Sequence, residues 1–436
     1  MGRLGQRIRS ARVSKGMSLN AVAGTACTKA HLSAIELGKV RPAPRLLMHI
    51  CRVLDLPLDE LAAEYASEVS DPGSIRVLCE SLRVQGEAQK VLPLLEVLPQ
   101  KAKGTLSEPA VYLELGRVYT CLNRFADAQR EFANAIDAAS HRAMWAVAAE
   151  ALFELGVACC CQGRYKDAIE SLSRSARTAL KGGAGRSVLL TRFCLGTCFL
   201  RAGMHKTALD LYEGVCSENV PVTYDGTPLQ ALAYLGLGVA HYNRQEYDKA
   251  LRANDLVIRM LRSSASEGKY LADAFNNRAV YLLDLGECDE AGSNLLQALK
   301  LRRNEDKQWS GKRILLSVTE FARLHLQRKR PLLAKKAAEH GLTLAQRYRD
   351  VFEQGRLHTL LMALSPNESD RHKAAISRLG GELAMPEERV YFYSAIGRFL
   401  RNTEFEAVGT QFLDQAIRES ENLSVLKRKW SHEKGR

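Results

Sequence analysis

No apolar run in this chain of 436 residues approaches the roughly 18 that a membrane-spanning helix needs, so no membrane partner is expected. The opening segment, MGRLGQRIRSARVSKG, is basic but lacks the apolar stretch and small-residue cleavage site of an export signal, which makes a cytoplasmic protein the expectation. Catalytic signatures are missing as well. No nucleotide-binding glycine loop, metal-ligand spacing, nucleophile elbow or HExxH pattern occurs, so no enzyme activity, no catalytic residue, no metal and no cofactor is expected. The eleven cysteines contain no CxxC pair. Cys159, Cys160 and Cys161 are consecutive, and Cys194 and Cys198 stand four apart inside helical patterns, so they read as reduced, buried, small apolar residues.

What is present is length, ordinary globular composition and unevenly placed charge. The chain exceeds the size at which a single core keeps growing, which points to a small domain joined to a larger or repetitive one. The net charge of +13 is concentrated in three segments. Residues 1–54 hold ten Lys and Arg against one acid, Glu36, residues 299–349 fourteen against four, and the tail 427–436 five against one. A basic N-terminal domain suits phosphate binding. For the other two segments a solvated helix face and a frayed tail remain open beside a partner surface.

Near the N-terminus Leu4, Ile8, Ala11 and, less regularly, Val13 recur at helical spacing, and Gly16 stands where a helix-ending glycine is expected. Ser18 is placed to cap a second helix over about 19–24, and Thr28 a third over 29–36. Leu32 and Ile35 turn that third helix inward, which leaves Lys29, Ala30, Ser33 and Ala34 on outward faces. Gly38, Pro42 and Pro44 end it, and helices near 45–54 and 58–66 complete a bundle of five.

The stretch KGMSLNAVAGTACTKAHLSAIELGKVRPAPRLLMHICRVLDLPLDEL resembles the Cro and phage-repressor (XRE-type) helix-turn-helix, over roughly residues 4–65. The resemblance implies a lambda-repressor-like fold whose third helix lies in the major groove of double-stranded DNA. Carried over by position, Thr28, Lys29, Ala30 and Ala34 become base readers, and Ser18, Lys39 and Arg41 phosphate contacts. His31 and Ser33 belong to the same DNA-facing surface, His31 at its edge. Lys29 suits a guanine edge or a phosphate, and the sequence leaves both open. Arg12 and Glu36 match a pair that forms a partly buried, structural salt bridge in that family. One departure stands out. Where the family has an alanine, a glycine and an aliphatic residue before the third helix, this chain has only Ala26 and Cys27 between Thr25 and Thr28.

Beyond Asp71-Pro72-Gly73 the pattern changes to long helices with an internal repeat. Leu115-Gly116, Tyr119, Ala128, Phe132 and Ala135 occupy the positions of a tetratricopeptide repeat (TPR). The same template falls on Leu155-Gly156 with Ala168 and Leu172, on Leu195-Gly196 with Ala208 and Tyr212, and on Leu237-Gly238 with Ala250 and Val257. Weaker copies centre on Ala279, Ala322 and Gly397. The small register residue advances by 40, 40, 42, 41 and 43 through the first six copies. Small residues let the first helix of a pair (helix A) approach the second (helix B), and the larger ones fill the seam. The expectation is an all-α chain: residues 1–66 the DNA-binding head, 67–104 a linker and connector helix, 105–426 a right-handed TPR solenoid of seven to eight helical pairs, and 427–436 a basic tail. One degenerate pair is expected between about 345 and 383.

Position within helix A nominates ligand-facing residues: Arg117, Thr197, Arg201, Tyr242, Asn243 and Asp273, followed by Asn276, Asn277, Glu320, Arg323 and Gln327. Asparagine offers a peptide backbone both a donor and an acceptor. An XRE-type head joined to six to eight long repeats resembles the RRNPP group of peptide-responsive regulators, which includes the Rgg, PlcR, NprR and PrgX types. The resemblance implies a homodimer on a palindromic operator, controlled in quorum-sensing fashion by a short peptide in the TPR groove. A protein partner in place of the peptide is the competing expectation.

Overall fold

The computed structural model describes residues 3–57, 61, 64–65, 72–84, 88–96, 98–182, 185–218, 221–224, 226–262, 268–303, 307–383, 386–400 and 405–433. Among these, every extended element is helical except one two-residue hairpin, Thr223–Tyr224 (β1) paired with Thr227–Pro228 (β2). The chain divides into two compact units, Met1–Gln162 with Glu170–Val188, and Gly163–Ile169 with Leu189–Arg436. No helix of the described residues is long and apolar enough to cross a membrane.

The first unit begins with α1 (Arg3–Ser14), α2 (Leu19–Ala23), α3 (Lys29–Glu36) and α4 (Pro44–Leu54). The caps read from sequence are made: Ser18 Oγ accepts from the Ala21 N–H at 3.1 Å, and Thr28 Oγ1 from the His31 N–H at 3.2 Å. Leu4, Ile8, Val22, Leu32, Ile35 and Leu47 form the core, whereas Val13 falls off that stripe and is exposed. At Gly5 a Cβ would lie 2.5 Å from the Ile35 carbonyl oxygen, so glycine lets α1 rest directly on the end of α3. The fifth helix expected near 58–66 lies largely outside the described residues, though Leu61 and Tyr65 are buried in this core. After Gly24, held at φ +50°, Cys27 packs against the core from the shortened turn, in the place an aliphatic residue would take. Among the described residues of the expected connector, three helices occur: α5 (Pro72–Val84), α6 (Ala88–Glu96) and α7 (Leu98–Ala102).

Eight helix pairs follow among the described residues. They are α8 (Glu108–Cys121) with α9 (Phe125–His141), α10 (Trp145–Cys161) with α11 (Tyr165–Lys181), α12 (Gly185–Arg201) with α13 (His205–Cys216), and α14 (Leu229–Asn243) with α15 (Tyr247–Arg262). Next come α16 (Gly268–Asp284) with α17 (Cys288–Arg303), α18 (Lys307–Gln327) with α19 (Pro331–Arg347), α20 (Val351–Leu364) with α21 (Ser369–Glu382), and α22 (Pro386–Phe399) with α23 (Glu406–Glu433). In the first six pairs the turn from helix A to helix B holds one residue at positive φ: Asn123, Gly163, Gly203, Gln245, Gly286 and Lys329. Each comes seven residues after the register glycine or alanine, so the turn repeats with the same stride as the packing position. At Gly116 and Gly196 the register glycine makes room for a side chain of helix B. A Cβ at Gly116 would meet the Phe132 ring at 2.4 Å.

All eleven cysteines are free thiols. The expectation that they are buried holds for Cys51, Cys79, Cys159 and Cys198 but fails for Cys121 and Cys161, which are exposed. Both are the last residue of a helix A, where the chain turns outward. Burial pushes the Cys51 thiol up to about 11 and the Cys79 thiol up to about 12, as expected of inert apolar fillers.

Candidate functional site

Two sites emerge, one in each unit. In the first, Arg12 of α1 grips Glu36 at the end of α3 through a two-pronged contact. Arg12 Nε donates to Glu36 Oε1 at 2.6 Å and Nη2 to Oε2 at 2.8 Å, while Nη1 donates to the Met17 carbonyl at 3.0 Å. The hydrogen bond to the nearly buried Glu36 carboxylate raises the Arg12 pKa above its ordinary value. With α3 fixed in this way, Thr28, Lys29, Ala30 and His31 are exposed, and Ser33 and Ala34 are half-buried on its outer face. Ser18, Lys39 and Arg41 are exposed at the ends of α2 and α3.

In the second unit, helices A line two connected cavities, of about 420 Å³ and 780 Å³. Arg201, Val239, Asn276, Asn277, Arg313 and Leu316 belong to both, so the two are lobes of one groove. Phe193, Tyr212, Tyr224 and Tyr270 give the smaller lobe an aromatic wall. Tyr212 comes from helix B and reaches the groove between two glycines: a Cβ at Gly196 or Gly236 would strike its ring at 2.8 or 2.4 Å. Its hydroxyl pairs with Thr197 Oγ1 at 3.1 Å. Hairpin β1–β2 supplies Tyr224, whose ring centroid is 6.4 Å from that of Phe193.

Beneath the smaller lobe lies Arg302, 0% exposed. It donates to Asp273 Oδ1 at 3.0 Å, to Ser317 Oγ at 2.6 Å and to the Arg313 carbonyl at 2.6 Å. Arg313 Nη2 takes the other Asp273 oxygen at 2.6 Å, and Ser317 Oγ donates to Asn276 Oδ1 at 2.9 Å. Under the larger lobe Arg323 pairs with Asp284, and Arg356 with both Glu320 and Glu353. Burial pushes the Glu353 carboxyl up. Burial also opposes the Arg356 charge, but Glu320 and Glu353 outweigh it, so its pKa stays above the ordinary value. Arg356 lies 4.3 Å over the Phe399 ring. At the rim Arg398 Nη1 donates to Asn243 Oδ1 at 3.1 Å, joining helices 155 residues apart in sequence.

Nine of the eleven residues nominated for ligand contact line this groove: Thr197, Arg201, Tyr242, Asn243, Asp273, Asn276, Asn277, Glu320 and Arg323. Several are already committed. Asn276 and Asp273 belong to the Arg302 network, Asn243 holds Arg398, and Tyr242 stacks on Tyr281 at 4.8 Å. Asn277 differs, for it faces both lobes and makes no hydrogen bond among the described residues. The structure places Arg117 and Gln327 elsewhere. Arg117 lies in the first unit, held by Glu150 at 2.5 Å and Glu154 at 2.8 Å. Gln327 ends α18 and donates to the Leu283 carbonyl at 2.9 Å, which closes the end of α16.

Other groove residues escaped the sequence reading. Phe193 and Tyr270 precede Thr197 and Asp273 by one helical turn, so the same face periodicity points to them. Arg302 sits on a helix B, and Arg398 directly follows the weak register residue Gly397, a position that the helix A reading did not nominate. The basic segment 299–349 turns out not to be only a solvated face, because Arg302, Arg313 and Arg323 build the groove from it. No cluster of three or more metal-ligating side chains occurs among the described residues.

Residues 3–63 match the helix-turn-helix domain family, and residues 113–184 and 195–265 the tetratricopeptide repeat family. The chain therefore carries an N-terminal helix-turn-helix domain followed by TPR helices. No curated protein sequence matches it. Among solved structures the chain is similar to Rap protein complexed with competence and sporulation factor (TM-score 0.56, 9% identity, covering 80% of this chain and 97% of that one). It is also similar to the Rap conjugation gene regulator of the plasmid pLS20 in complex with the Phr* peptide (0.53, 11%, covering 81% and 96%). A third is NprR in complex with its cognate peptide NprX (0.51, 16%, covering 81% and 97%). At these identities the likeness is one of fold. These neighbours are RRNPP regulators.

Proposed function

We propose that the chain is a dimeric, sequence-specific DNA-binding transcriptional regulator whose repeat groove binds a short peptide that modulates DNA binding. The observation that carries the reading is the groove itself, two lobes of about 420 Å³ and 780 Å³ that share six lining residues and are lined largely by consecutive helices A. It occurs in the fold of solved regulators whose structures hold peptides. Asn277, with a donor and an acceptor uncommitted among the described residues, suits a peptide backbone. The exposed face of α3, begun by Thr28 and Lys29, suits the major groove, and two symmetric heads suit a palindrome.

Selection of random duplex DNA by the full-length protein tests the DNA half of the reading. An enriched inverted repeat, its half-sites spaced by one turn of about 34–36 Å or a multiple, is the expected product. Recovery of unrelated sequences contradicts it. On the selected site Lys29→Ala is expected to weaken specific binding by about 1–3 kcal/mol and non-specific binding less. Equal loss at both across a salt series would reduce Lys29 to a phosphate contact.

The two neighbouring asparagines should separate. Asn277→Ala is expected to lower peptide affinity by about tenfold with the melting temperature unchanged, as for one lost hydrogen bond to the ligand. Asn276→Ala, which strips an acceptor from Ser317 and Arg302, is expected to lower the melting temperature instead. The reverse pattern would exchange their roles.

A further inference from the structure

Two buried imidazoles face each other between α20 and α21. His358 of α20 is 9% exposed and His372 of α21 is 7% exposed, and their Nδ1 atoms stand 2.9 Å apart. Two Nδ1 atoms form a hydrogen bond only when one carries a proton and the other does not. A first added proton leaves that bond intact, because it can settle on Nε2 of the donating ring. A second has to occupy the accepting Nδ1, which sets two N–H groups head to head.

The surroundings resist that second charge. Burial pushes both imidazoles down, His358 to about 4. At His358 the His372 ring, Arg378 and Arg371 act in the same direction, and at His372 so do Arg371 and Lys335 of α19. Glu368, just before α21, favours a charged His372, but it is exposed and pairs with Arg371 at 3.0 Å. Both shifts are downward, so the pair contributes stability that is complete above the unfolded value near 6.5 and is lost as pH falls toward the folded one.

The pair sits behind the groove. Val351, Phe352, Glu353 and Arg356 of α20 line the larger lobe, and His358, two residues beyond Arg356, lies across the helix from them. Met362 of α20, Ile376 of α21 and Phe392 of α22 share one core, and α22 lines the same lobe through Tyr391, Ala395 and Arg398.

We propose that His358 and His372 form an acid-sensitive latch: with at least one ring neutral they hold α21 on α20, and with both protonated the helices part and the groove wall in front of them loosens. The latch does not depend on what the groove binds.

Hydrogen–deuterium exchange of the full-length protein tests it, corrected for the intrinsic pH dependence of exchange. Between about pH 7.5 and about pH 5, exchange across 351–382 is expected to rise about tenfold or more relative to the α14–α15 pair. The double variant His358→Asn with His372→Asn puts an amide pair that does not titrate at the two Nδ1 positions, and the extra rise should vanish. An unchanged ratio between the two segments in the parent, or an equal rise in the double variant, would overturn the proposal. Should the variant fail to fold, histidine NMR of the parent at about pH 6 still decides. His358 is expected to be neutral there, and titration of every imidazole near 6.5 would overturn the latch.

Discussion

Arg12→Ala unfolds the N-terminal head, at a cost of about 3–5 kcal/mol, and DNA binding is lost with it. The cost comes from what remains. Glu36 is 4% exposed, and without Arg12 its carboxylate is stranded beneath α3 while the Met17 carbonyl loses its donor. A small helical head has no more than several kcal/mol of stability, so a loss of this size is decisive. Circular dichroism and limited proteolysis of the full-length variant read the result as early cleavage before residue 66. The double variant Arg12→Met with Glu36→Leu removes both charges and should recover most of the stability. A folded Arg12→Ala protein with weakened DNA binding and a shallower salt dependence would instead make Arg12 a phosphate contact.

Arg323→Ala is expected to cost the second unit a similar amount, again about 3–5 kcal/mol. Arg323 is 1% exposed and faces Asp284, 5% exposed, with Glu320 4.0 Å away. Removing the guanidinium takes the cationic partner from the buried Asp284 carboxylate and opens a void beside Phe399. Arg323→Met combined with Asp284→Leu should come much closer to the parent, because Glu320 keeps Arg356. Thermal unfolding of the three proteins separates the cases. An Arg323→Ala protein that melts like the parent would show that the pair adds nothing to stability.

These two predictions stand at opposite ends of what the sequence disclosed. The head was legible because its signals are local. Ser18 and Thr28 cap the helices they precede, Gly16 and Gly38 take the positive φ that ends α1 and α3, and Leu32 and Ile35 lie one turn apart. Arg12 and Glu36 came through resemblance. The repeat helices were legible because the small register residue and the left-handed turn residue recur with one stride. The groove was legible only in part. Face periodicity found residues on helices A, but no local pattern tells a solvated arginine from one buried under a cavity. Arg302 gives no sign of its role until Asp273 and Ser317 are folded against it. Arg398 reaches Asn243 across 155 residues through the curvature of the second unit, which depends on every intervening pair. Tyr224 enters on a two-residue hairpin that interrupts the helical stride. Arg117 and Gln327 failed for the converse reason: each has the right position within helix A, but neighbouring carboxylates or a helix end claim it first.

The central claim is that the groove and the head are coupled, so that a ligand in one changes affinity at the other. It is tested most directly by titrating the selected DNA site with full-length protein in the absence and presence of a saturating groove peptide, and by titrating the peptide with and without DNA. Coupling requires the two affinities to change by the same factor, about 5–150-fold for a typical regulator, because the linkage is reciprocal. Binding of both ligands with neither affinity altered by the other would contradict it.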